Sequence, residues 1–134
     1  MAGMTGGCLC GRVRYATLAE PARMGLCHCR NCQRDTGSAF EPFIILPTTS
    51  IGITGELRVF EHLGDSGRPV RRCFSPTCGS GVVNIDPTHG MTVVLAGTLD
   101  DPAVFRPAIE ICCDTAQPWV QASGDRKRFP GMPV

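Results

Sequence analysis

Cys27-His28-Cys29-Arg30-Asn31-Cys32 places three thiols within six residues, so three sulfurs can converge on one ion without help from distant chain. Zinc takes thiolate sulfur at about 2.3 Å in a tetrahedral set; structural sites fill all four positions and catalytic sites keep one for water or substrate. With no fourth cysteine close by, Cys27, Cys29 and Cys32 read as an open, catalytic zinc site. A remote ligand such as His62, His89 or another cysteine would close it into a structural one. His28, wedged between two of the thiols, faces away from them if the segment is extended. Arg30 and Arg34 flank the cluster, where planar guanidinium groups would hold the carboxylate of a small acidic thiol or peptide. Twelve of the 13 basic residues are Arg, so a general use of Arg in place of Lys explains the pair equally well.

Two further pairs, Cys8-Leu9-Cys10 and Cys73 with Cys78, are far apart in sequence but each offers two thiols at short spacing. Together they make a closed four-sulfur set that would tie an N-terminal strand to a mid-chain hairpin, and a structural zinc contributes folding free energy directly. Some of these could also be plain buried thiols. Cys112 and Cys113 are adjacent on an apolar run, so a strand would point them to opposite faces, and they read as packed side chains. No P-loop lysine, no Gly-x-Gly-x-x-Gly and no His-Glu-x-x-His is present.

The elements that must position these groups are short. Gly 16 and Pro 11 in 134 residues leave little room for long helices. The stretch from Cys8 to Thr17 alternates with a strand's period, which puts Cys8 and Cys10 on one face. Apolar or β-branched runs at 40–46, 51–54, 57–62, 81–85, 91–95 and 108–113 are bounded by Gly, Pro, Asp or Thr and read as strands. Residues 31–38 read as one helical turn and 121–134 as loop. The fold class expected is mainly β, short antiparallel strands in a single domain over 1–134.

Composition narrows the function. A net charge of +1 gives no electrostatic footprint for nucleic acid or an anionic membrane. No apolar run approaches the roughly 18 residues of a membrane span, and the first residues carry neither a basic nor an apolar signal region. Nine cysteines, an odd number, fit a reducing, cytoplasmic setting in which clustered thiols serve metals or catalysis.

The stretches GGCLCGRVRY (6–15), CHCRNCQRDTGSAF (27–40), CFSPTCGSG (73–81), AGTLDDP (96–102), FRPAIEI (105–111) and PWV (118–120) resemble the glutathione-dependent formaldehyde-activating enzyme family, to which centromere protein V is related. The resemblance implies a zinc-stabilised β-tent with two zinc ions. Cys8 and Cys10 with a pair near 73–78 would hold the structural ion, and Cys27, Cys29 and Cys32 the catalytic one. It also implies a carbon–sulfur lyase run in reverse, adding glutathione thiol to formaldehyde. One departure stands out: the family's Phe-Cys-x-x-Cys-Gly is here Phe74-Ser75-Pro76-Thr77-Cys78-Gly79, so Ser75 occupies a ligand position and Cys73 is expected to replace it. The alternative function is a non-catalytic zinc module that binds a small thiol or a protein partner; the basic disordered segment of centromere protein V has no counterpart here.

Overall fold

The computed structural model describes residues 3–121 and 124–133. Eleven strands and one α-helix account for its regular structure, together with short 3-10 turns. Strands β1 (Met4–Gly7), β2 (Arg14–Thr17) and β5 (Ile51–Thr54) form a three-stranded antiparallel sheet in the order β1-β2-β5. The larger sheet comprises β3 (Arg23–Cys27), β4 (Glu41–Pro47), β6 (Arg58–Leu63), β7 (Pro69–Phe74), β8 (Gly81–Asp86), β9 (Met91–Leu95), β10 (Ile109–Ile111) and β11 (Lys127–Arg128). Its order is β11-β10-β3-β4-β9-β8-β7-β6. The mainly β expectation holds. The pairing departs from the antiparallel expectation at one end, where β10 runs parallel to both β3 and β11.

Alternation along β4 explains how one sheet serves two surfaces. Ile44 and Leu46 point into the main core with Val83 and Val94, against Met4 and Tyr15 from the smaller sheet and Val13 from the turn before β2. Phe43 and Ile45 point the other way, toward Cys27, Cys32 and Ile111. The core is aliphatic, as the scarcity of aromatics requires.

Two local expectations are corrected. Residues 8–13 are a turn, not the start of a strand: the Gly11 N–H donates to the Cys8 carbonyl at 3.1 Å, and Gly11 takes φ 81, a left-handed conformation open to glycine. The helix α1 (Arg30–Thr36) has seven residues, longer than one turn, because Cys29 caps its start and Gly37, at φ 68, donates its N–H to the Gln33 carbonyl to end it. The tail is loop apart from β11, with residues 122, 123 and 134 outside the described part. Among the described residues no helix is long and apolar enough to cross a membrane.

Candidate metal centre and adjoining cavity

Cys27 ends β3, Cys29 caps α1 and Cys32 lies in the first turn of the helix, three residues on and therefore on the same face. This strand-to-helix corner brings the three sulfurs within 4.8 Å of one another. The Cys32 N–H donates to the Cys29 sulfur at 3.3 Å, which favours the thiolate that zinc requires. The corner is braced from behind. Gln33 Nε2 donates to the carbonyls of His28 (2.6 Å) and Thr115 (3.0 Å), and Thr115 Oγ1 donates to the His28 carbonyl at 2.9 Å. The chemistry of the donor set, three convergent thiols with an N–H aimed at one of them, fits zinc.

Cys112, just after β10, packs beside them. Because β10 pairs in parallel with β3, Ile111 lies opposite Cys27, and the chain then turns. Cys112 takes φ 55 and ψ 39, and it is the single non-glycine with positive φ among the described residues. That turn keeps Cys112 from continuing the strand and leaves it packed against the buried cluster of Cys27 and Cys32. The neighbouring thiols, Cys112 first, push the Cys27 thiol up and hold the Cys29 thiol down. The expectation that Cys112 is a packed side chain holds, and its place beside the triplet depends on long-range strand pairing.

The second cluster contains Cys8, Cys10 and Cys78, again with sulfurs within 4.8 Å. The Val13 N–H donates to the Cys8 sulfur at 3.3 Å and lowers that thiol. Hydrogen bonds from Ser75 and then Ser80 hold the Cys78 thiol down to about 5. Cys73 is not among them. Its place in the pairing row Val59–Cys73–Val83–Val94–Ile44 turns it into the main core, where it is 3% exposed and burial raises its thiol. A register shift between Cys73 and Phe74 does not bring the thiol round to the cluster. The buried Ser75 hydroxyl is what lies beside Cys78, accepting its N–H at 3.2 Å.

Beside Cys27 and Cys32 lies a cavity of about 370 Å³. Its polar end is Glu41, Arg72 and Asn84, none of which the sequence reading singled out. The Cys32 thiol donates to Glu41 Oε2 at 3.2 Å, and Asn84 Nδ2 donates to Glu41 Oε1 at 2.8 Å. Burial pushes the Glu41 carboxyl up, and Arg72 opposes that shift. Arg72 reaches Asp35 at 3.3 Å and Glu41 at 3.4 Å, and its Nε donates to His62 at 3.0 Å. Strand alternation offered the signal: Arg72 and Asn84 face one another across β7 and β8 on the side away from the core.

Neither Arg30 nor Arg34 lines this cavity. The Arg30 guanidinium is bonded to Gln33 Oε1, and Arg34 lines a neighbouring cleft with Asn31, Asp35, Phe60, His62 and Arg72, the last shared with the cavity. His28 faces away from the triplet as expected, yet it is buried, with Nε2 2.7 Å from Glu110 Oε1. Burial raises Glu110, but His28 and Arg126 outweigh it and hold the carboxyl below its ordinary value. His28, Glu110 and Cys113 also come within 4.8 Å, although Arg126 and Arg128 already supply positive charge to Glu110 at 3.1 and 3.9 Å. A cation there would meet two guanidinium groups.

Comparison with known proteins agrees with this geometry. The crystal structure of a Rhodobacter sphaeroides protein has a similar fold, with a TM-score of 0.56 and 21% identity over 72% of this chain and 88% of that one. No curated protein matches the chain. Residues 3–115, which carry both cysteine clusters and the polar end of the cavity, match the family described as glutathione-dependent formaldehyde-activating enzyme, and the chain belongs to that family.

Proposed function

We propose that the protein, acting as a single domain, is a zinc-dependent carbon–sulfur lyase that makes and breaks the bond between a small thiol and formaldehyde. The observation that carries the reading is the trio of thiols, mutually within 4.8 Å, at the edge of a cavity with a buried carboxyl. Cys27, Cys29 and Cys32 would hold the ion and leave one position open. Zinc so bound lowers the pKa of a thiol and polarises an aldehyde oxygen.

The protein's own groups then handle a proton. Glu41, on the cavity wall beside Cys32, accepts the proton of the incoming thiol through the oxygen that faces Cys32. The thiol sulfur forms a bond to the aldehyde carbon, the carbonyl π pair moves to oxygen, and Glu41 returns the proton to that oxygen to give the hydroxymethyl thioether. Arg72 and Asn84 fix Glu41 in place through its other oxygen. The reverse sequence releases thiol and aldehyde.

The reaction proceeds without an enzyme, so the test is acceleration. Magnetisation-transfer NMR on ¹³C-formaldehyde and thiol should show faster exchange into the adduct with zinc-loaded protein than without it, and Cys29→Ser should remove the gain. Exchange at the uncatalysed rate would overturn the proposal. A second reading is favoured by Cys112, which packs against Cys27 and Cys32 and would let four sulfurs close the site into a non-catalytic zinc module. X-ray absorption on the zinc protein separates the two by the number of sulfurs around the ion, three against four.

A further inference from the structure

The cavity beside Cys27 and Cys32 is poor in available positive charge. Its walls beyond the polar end are Phe43, Ile45, Val70, Met91, Val93 and Ile111. Arg72 is its sole guanidinium, and two carboxylates, Asp35 and Glu41, already pair with it. The imidazole of His89 on the same wall is bonded to Asp86 Oδ2 at 2.8 Å. Arg30 is bonded to Gln33, and Arg34 lies outside the cavity lining, in the neighbouring cleft on the far side of Arg72.

We infer that this cavity selects a thiol, or thiol–formaldehyde adduct, whose body is uncharged and apolar, a short alkyl or aryl chain rather than a tripeptide. The inference rests on the thiol–aldehyde reading above and narrows its substrate. A tripeptide thiol such as glutathione brings two carboxylates and an ammonium. Removing those charges from water next to valine, isoleucine and phenylalanine, with no unpaired cation to receive the carboxylates, carries a penalty that Coulomb attraction there does not offset. An alkyl chain meets the opposite balance, because each methylene it buries strengthens binding about fourfold. A volume of about 370 Å³ accommodates a chain of several carbons with its sulfur at the cysteines and its tail along Ile45 and Val93.

The probe is the full chain loaded with cobalt(II) in place of zinc, whose sulfur-to-cobalt absorption reports a bound thiol directly. Titration with ethanethiol, propanethiol, butanethiol and hexanethiol should lower Kd about fourfold per added methylene until the cavity is filled, and glutathione should bind more weakly than hexanethiol by tenfold or more. Val93→Thr, close to isosteric, should weaken hexanethiol several-fold and leave mercaptoethanol unchanged. A flat alkyl series with glutathione binding as tightly as hexanethiol would overturn the apolar substrate and leave the thiol reading standing. A cobalt spectrum that no thiol perturbs would overturn the thiol reading itself, and this inference with it.

Discussion

Cys32 and Glu41 face each other across the corner between α1 and β4, the thiol donating to Glu41 Oε2 at 3.2 Å while Arg72 and Asn84 hold the other carboxylate oxygen. On the proposed function the pair joins a group that would hold the metal to one that would handle the proton, and one side accepts a conservative replacement. Glu41→Gln keeps an oxygen for Asn84 and removes the basic group. It should slow thiol–formaldehyde exchange by about a hundredfold with zinc content unchanged. Loss of zinc together with rate would show that Glu41 supports the ligands and does not move the proton.

The two clusters should respond differently to removal of a thiol. Cys8, Cys10 and Cys78 tie the turn at 8–11 to the turn at 75–80, where the Leu9 N–H also reaches Ser80 Oγ at 3.1 Å. The corner at Cys27–Cys32 is held independently by Gln33 and Thr115. Cys8→Ser should therefore lower the melting temperature on the order of 10 °C, and Cys29→Ser by much less. Thermal melts of the zinc-loaded variants compare them; equal losses would make the triplet structural.

What the sequence made legible follows from where the information is local. Ile51–Thr54 and Met91–Leu95 were read to the residue, because apolar runs there end at Thr48-Thr49-Ser50, Gly55, Gly90 and Gly97. The triplet was legible because its spacing alone makes the sulfurs converge. Strands β3 and β7 were not, since Arg23 and Arg72 interrupt their apolar pattern; Arg72 is charged precisely because its side of the sheet faces the cavity and not the core. Cys112 comes to pack beside the triplet through parallel pairing of β10 with β3, an approach between residues 85 apart in number for Cys27 and Cys112 that no short window can report.

Asp100 links the first strand to the later chain. It accepts from Arg14 Nη1 at 3.0 Å and Thr5 Oγ1 at 2.8 Å, and these bonds, Arg14's first, hold its carboxyl below the usual 3.8. A carboxyl lowered on folding adds stability above its unfolded pKa, and that stability is lost as pH falls through the folded value. Wild type should thus melt slightly above Asp100→Asn at about pH 7, and the difference should shrink as pH falls below 3.8 and through the lowered folded-state value. A gap that persists in acid would assign it to the amide's altered hydrogen bonding and not to charge.

Ser75 and Cys73 give the most direct test of the three-sulfur cluster. Ser75 is fully buried beside Cys78, with its hydroxyl accepting the N–H groups of Thr77 and Cys78 at 3.2 Å each. A neutral hydroxyl is a poor zinc ligand, whereas a thiol at that point would complete a tetrahedral sulfur set. Ser75→Cys should therefore slow zinc loss to a chelator by tenfold or more and raise the melting temperature. Cys73, turned into the apolar row with Val83 and Val94, lies outside that set. Cys73→Ser should leave zinc stoichiometry unchanged while lowering stability by about 1–3 kcal/mol, because a hydroxyl replaces sulfur in a dry core. If Cys73→Ser instead released one zinc, the thiol would have to leave its core row and reach the cluster, and Ser75 would lose its place as the fourth position.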